Sequence, residues 1–262
     1  MRKSSTTQKV PYLAPDVLAK AIPAPVDGWD AISPLAEMDP KRAPILVNWV
    51  PRPGFVELRG GFNRWADTMV DAPVESLMVY RSPTEELMFA AVDGDIFDVS
   101  NTTASLSLSS LSSARWQYVN FTPQGGTTHL QAVNGFDDLI MFDGTTWTTP
   151  SITGLPGTTA DIININAQKA RLWYILKDST VAAFMPTGAI MGPIDGTQDF
   201  GALWTKGGHI VAMAAWTVDG GAGPQDYALF ISSRGQVSVY MGTDPTNAAA
   251  WQLVVTFDVA PP

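Results

Sequence analysis

Hydrophobic and polar positions change texture once along the chain. From residue 63 onward the apolar residues come in short runs rich in β-branched and aromatic types. Asp-Gly, Asn-Gly and Arg-Gly dipeptides, which favour positive φ, bound these runs; this is the grammar of antiparallel hairpins. A first block reads Leu77-Met78-Val79-Tyr80, Leu87-Met88-Phe89-Ala90-Ala91, the Asp93-Gly94 turn and Ile96-Phe97-Asp98-Val99. A second covers 116–121, 130–133, Asn134-Gly135, 139–142, Asp143-Gly144 and Trp147. A third covers 162–165, 171–176 and 181–184. A fourth, 209–216, leads into a glycine-rich loop at 219–223, and a fifth offers 227–231, Arg234-Gly235, 237–240 and 251–257. Meanders that recur every ~40 to 50 residues, with roughly one Trp per block, are how a β-propeller appears in sequence. The fold class read from the pattern is therefore all-β, with β-propeller-like repeated meanders. A β-sandwich built from the same hairpins is the alternative. The uncharged Ser/Thr/Leu stretch 100–113 reads as a loop or as a weak strand carrying Leu106, Leu108 and Leu111.

Before that domain the texture differs. Prolines at 15, 23, 25, 34, 40, 44, 51 and 53 forbid long helices, so residues 1–62 read as an extended proline-rich N-terminal arm and 63–262 as the β domain. Trp29, Met38 and Trp49 punctuate the arm as apolar anchors and Arg59 closes it. This pattern predicts a strap that docks on other surfaces instead of folding alone.

Charge sharpens this division. The whole chain carries Lys+Arg 16 against Asp+Glu 25, a net −9. Arg2, Lys3, Lys9 and Lys20 against Asp16 leave the first twenty residues at +3, and the remainder therefore at −12. Such an acidic molecule does not hold nucleic acid through a broad basic surface. With no Cys, disulfides, thiolate metal sites and a cysteine nucleophile are excluded. No apolar run follows the basic start, so no secretory signal is read, and no stretch of 18 apolar residues marks a membrane span.

Catalytic chemistry is sparse. His129 and His209 lie beside separate predicted strands, without the helical spacing that puts two ligands on one metal. There is no Gly-x-Ser-x-Gly elbow and no phosphate loop; Gly220-Gly221-Ala222-Gly223-Pro224 ends in a proline. Asp93 with Asp95, and Asp137 and Asp138 with Asp143, could gather carboxylates for calcium or for glycoside hydrolysis. Asp beside Gly is, however, what tight turns select on conformational grounds. The sequons at Asn101 and Asn120 read as chance, and no cofactor or metal is expected.

One stretch carries more. Pro25-Val26-Asp27-Gly28-Trp29, Met38-Asp39-Pro40 and Asn48-Trp49-Val50-Pro51 leading to Leu58-Arg59-Gly60-Gly61 resemble the opening of a family of tail proteins of short-tailed bacteriophages. Later segments resemble the same family in order: Val133-Asn134-Gly135, Met141 through Trp147, Lys169-Ala170-Arg171-Leu172-Trp173, Trp216-Thr217-Val218-Asp219, and Val239 through Pro245. The resemblance spans about residues 23–257. It implies a non-enzymatic structural virion protein: a tail nozzle subunit forming a homo-oligomeric ring around the DNA channel, assembled in the host cytoplasm. Its partners would be other tail or portal-adaptor proteins. DNA would be transient cargo without sequence-specific binding, and no membrane insertion is expected. A receptor-binding or adsorption module, a proximal head-to-tail adaptor or stopper ring, and a glycan-degrading hydrolase remain alternatives. Members of that family continue beyond the point where this sequence stops, so the expected β domain closes either within the chain or through another part or chain. A wall of Asp and Glu repels a passing duplex instead of retarding it, which suits a conduit.

Overall fold

A computed structural model describes residues 21–219 and 224–260. The basic start, the tip of the glycine-rich loop and Pro261-Pro262 lie outside the described residues. The chain divides into two units, Met1–Asn63 and Arg64–Pro262.

Within the first unit the expected strap is more than an extended chain. Strands β1 (Trp49–Arg52) and β2 (Phe55–Leu58) form an antiparallel hairpin, with Gly54 at φ 84° in its turn. The prolines along this stretch give no sign of it in the sequence, because Pro51 sits inside β1 itself; in a two-stranded ribbon each strand is an edge, and an edge tolerates the missing N–H. An isolated parallel bridge joins Trp29 to Ala43, and Trp29 Nε1 donates to Pro44 O at 2.9 Å.

The second unit is built from four consecutive four-stranded antiparallel sheets. The first holds β3 (Ser76–Arg81), β4 (Glu86–Val92), β5 (Asp95–Asp98) and β6 (Ser105–Leu108). The second holds β7 (Gln117–Phe121), β8 (His129–Val133), β9 (Ile140–Phe142) and β10 (Trp147–Thr148). After β11 (Ile152–Thr153) comes the third, made of β12 (Ile162–Gln168), β13 (Arg171–Leu176), β14 (Val181–Phe184) and, beyond β15 (Gly192–Pro193), β16 (Gly196–Asp199); β11 and β15 pair in parallel. The fourth holds β17 (Ile210–Asp219), β18 (Pro224–Ser232), β19 (Gln236–Gly242) and β20 (Trp251–Asp258). The sequence pattern divided this last sheet into two blocks. That division is corrected: β17 pairs antiparallel with β18 from Ile210↔Ser232 to Asp219↔Pro224, so the two strands belong to one sheet. The Ser/Thr/Leu stretch supplies a strand, β6, whose Leu108 packs with Leu111 against the core.

Consecutive sheets pack face to face. Met78, Phe89 and Ile96 of the first meet Leu130, Ile140 and Phe142 of the second. Val133 and Leu139 of the second meet Ile162, Leu172 and Tyr174 of the third. Trp173 and Phe184 of the third meet Met213, Phe230, Tyr240 and Trp251 of the fourth. Sheets covered on both faces lose the alternation of half-buried strands, and all six residues of β13 are buried. The outer face of the first sheet, with Ala90, Val92 and Phe97, is covered by Ala66, Val70 and Ala72 of the preceding segment.

The first strands of the sheets are edges, and side-chain amides supply some of the pairing they lack. Asn120 on β7 donates to Val79 O at 2.7 Å and accepts from Arg81 N–H at 3.2 Å. It thereby meets β3 as another peptide would. On β12, Asn164 accepts from Met213 N–H at 3.0 Å and Asn166 donates to Met213 O at 3.1 Å, which treats β17 the same way. Each bond satisfies a backbone group that would otherwise be left without a partner as the sheets close on one another.

Two cationic pins hold the third sheet to the fourth. Lys169 Nζ lies 2.5 Å from Asp226. Arg171, largely buried, pairs with Asp195 and reaches Asp244 at 3.3 Å. Both cations flank a turn in which Lys169 and Ala170 each have positive φ, 49° and 57°, a conformation that costs a residue with a Cβ about 1 kcal/mol or more.

Candidate assembly surfaces

The polar residues singled out for chemistry are engaged in shaping loops. Asp137 accepts from Ser112 N–H at 2.8 Å and from Asn134 Nδ2 at 2.7 Å. Burial pushes its carboxyl up, but the bonds from Asn134 and Ser112 together outweigh this and hold it below the usual range. The Thr146 and Thr145 N–H groups hold Asp143 down in the same way, and Asp138 accepts from Thr159 Oγ1 at 2.5 Å. Asp93 occupies its turn with φ 47°, and Asp95 accepts from Ser110 N–H at 3.4 Å. His129 Nδ1 lies 2.8 Å from Thr127 O. His209 Nδ1 lies 3.9 Å from Asp178 on a different sheet. Among the described residues no group of three or more His, Asp or Glu is gathered for a metal ion.

A cleft of about 420 Å³ opens between hairpin tips of the first two sheets, lined by Tyr80, Thr84, Glu85, Thr122, Thr128 and Asp143 among others. Its polar groups are largely committed to one another. Tyr80 OH donates to Thr128 O at 3.1 Å, the Thr122 and Thr128 hydroxyls are 2.8 Å apart, and Asp143 caps its own turn.

Apolar surface is where the molecule is unsatisfied. In the first unit the one buried residue among 21–63 is an acid, Asp30. The N–H groups of Ser33 and Ile32 hold its carboxyl down at about 2. Trp29 is 67% exposed, Trp49 48%, Phe55 54% and Ile45 76%. Trp49, Pro51, Val56 and Leu58 share one face of the hairpin through the pairs Trp49↔Leu58 and Pro51↔Val56. Beside Trp49 and Val56 runs a cleft of about 320 Å³ walled by Ala43, Ile45 and Leu46. Of the other two anchors read from the sequence, Met38 is half-buried and Arg59 is exposed, its N–H bonded to Asn48 O.

The second such surface was not expected. On the face of the fourth sheet turned away from the third, register aligns three rows. They are Trp216, Tyr227, Met241 and Gln252; Ala214, Leu229, Val239 and Val255; and Ala212, Ile231, Val237 and Phe257. Gln252 is the one polar member. A sheet face left to water is ordinarily polar at alternate positions, yet here Trp216 is 52% and Phe257 51% exposed at opposite corners, with Val239 of the middle row buried and most of the other members half-buried. The signal lay in the sequence as Tyr227-Ala228-Leu229-Phe230-Ile231 and Val237-Ser238-Val239-Tyr240-Met241. Those runs read equally well as strands buried on both faces, and only pairing and packing separate the covered face from the open one.

No family model and no curated protein matches the chain. Among solved structures, two crystal structures of BBS1N in complex with ARL6DN are similar, at 13% and 14% identity and TM-scores of 0.44 and 0.45. The matches cover 72% and 74% of this chain; the chain spans 55% and 57% of those chains. Raptor of Chaetomium thermophilum matches at 8% identity and a TM-score of 0.41, over 79% of this chain and 18% of that one.

Proposed function

We propose that the chain is a non-enzymatic structural subunit of a short-tailed bacteriophage tail, assembling with further copies into a ring around the DNA channel. The four sheets would serve in it as successive blades of a propeller-like body. The observation that carries the assembly role is the pair of exposed apolar surfaces, around Trp29, Ile45, Trp49 and Phe55 and around Trp216 and Phe257. Contiguous apolar patches of this kind mark interaction sites. The placement in a phage tail, and at its nozzle, rests on the ordered series of motifs between Pro25 and Pro245. The acidic net charge of −9 supports a channel wall that does not retain DNA.

Electron microscopy and native mass measurement of the purified protein test the reading. The expected result is a closed ring of a defined number of chains, located on the tail axis when the intact particle is imaged. Chains found at the tail periphery would make it an adsorption module, and turnover of host polysaccharide would make it an enzyme. Removing residues 1–53 is expected to leave the strand-rich circular dichroism spectrum while abolishing the ring; rings formed by the shortened chain would refute the role given to the arm.

A further inference from the structure

Resting on the homo-oligomeric reading above, we propose that the open face of the fourth sheet is the receptor for the N-terminal unit of a second copy of this chain, in a head-to-tail contact. Two unsatisfied surfaces of one chain are present in equal number whenever copies meet. They are also unlike in shape. The fourth sheet offers a broad strand-built face from which Trp216 and Phe257 stand half exposed. The first unit offers a concavity, about 320 Å³ between Ile45, Leu46, Trp49 and Val56, at the lower end of the volumes that take small organic groups. A projecting aromatic in an apolar cleft is the arrangement that dominates binding energy at protein interfaces.

The first unit also gains most by such a contact. With Asp30 the one buried residue among 21–63, those described residues gather no apolar core, and Trp29 and Trp49 among them stand half exposed or more. Each contact joins the front of one copy to the last sheet of the next. Contacts between unlike surfaces build rings where the rotation closes, which a face-to-face pairing of two fourth sheets would not do.

Two double variants of the full chain test this by complementation. Ile45→Glu with Trp49→Glu spoils the donor unit. Trp216→Glu with Phe257→Glu spoils the receptor face at positions exposed enough to keep the fold, which circular dichroism verifies. In sedimentation each variant alone is expected to run as a single chain, with association weakened by about 30-fold or more. An equimolar mixture of the two is expected to yield a two-chain complex, because one intact donor still meets one intact receptor. Dimers of the donor-spoiled variant would instead show fourth sheets pairing with each other, and a mixture that stays as single chains would show that the surfaces do not meet; either overturns the proposal. If the unaltered protein assembles and both variants assemble as well, this contact is wrong while the ring stands. If the unaltered protein is itself a single chain, the ring falls with it.

Discussion

Arg171 shows how much one side chain can be asked to do. Its guanidinium is largely buried, paired with Asp195 and Asp244, bonded to Met185 O at 3.0 Å and set over the Phe184 ring. Replacing it with Met leaves two carboxylates that still reach water, so the expected cost is about 2–3 kcal/mol. A thermal melt should register this as a fall of about 5–10 °C. One position earlier, Ala170→Gly is expected to stabilise by about 1 kcal/mol by relieving the positive φ of the turn, and the same melt checks it. Carboxylates give a third expectation. Asp30, Asp137, Asp143, Asp161, Asp199, Asp226 and Asp244 all have lowered pKa values in the folded chain. A carboxyl that gives up its proton more readily when folded contributes stability above its unfolded value, and that contribution disappears as pH falls through the folded one. Denaturant midpoints should therefore hold level from about pH 7 to 5 and drop from about pH 4 toward 2. At this scale the turn residues were legible, since Asp93 and Gly94 both have positive φ as an Asp-Gly pair demands. Lys169-Ala170 was not, because neither residue prefers the conformation that the sheet-to-sheet pins impose on it.

Elements were legible where hydrophobic runs and turn dipeptides agreed. The first three meanders follow from that agreement. Strand β16 escaped because Gly196-Thr197-Gln198-Asp199 has no apolar pattern; it exists through its ladder to β14. The hairpin of β1 and β2 hid behind its prolines. Least visible were the asparagines that join one sheet to the next, since an Asn in a strand ordinarily argues against the strand. Asn164→Leu keeps the volume but leaves Met213 N–H, buried between sheets, without an acceptor. The expected loss is about 1–3 kcal/mol, and Asn164→Ala, which adds a cavity to the same lost bond, should lose more. Urea denaturation of the two variants side by side distinguishes the lost bond from a generic packing defect.

For the molecule as a whole, acidic charge and open apolar faces pull in different directions. Net charge of −9 keeps copies apart at long range, while the fourth sheet and the first unit gain by contact at short range. Salt screens the first effect within about 10 Å at 0.1 M and leaves the second largely intact, so assembly is expected to strengthen as salt is raised. Light scattering across a salt series checks this, and weaker assembly at high salt would point to ionic contacts instead. That the chain from residue 63 onward is built of antiparallel meanders was readable from its turn grammar. The surface that the body leaves bare was not, because a sequence does not say which of two apolar faces a neighbour will cover.

The serial stacking of the four sheets sets an order of loosening. The two middle sheets are clamped from both sides, whereas the last has a neighbour on one side only, so local opening should begin at β20 and peel inward, as in stacked-repeat proteins where each module leans on the next. Amide hydrogens of β13 should then exchange last and those of β20 early, and docking a copy onto the bare sheet should slow the early ones first, making deuterium uptake a direct report on whether the end of the stack has been capped.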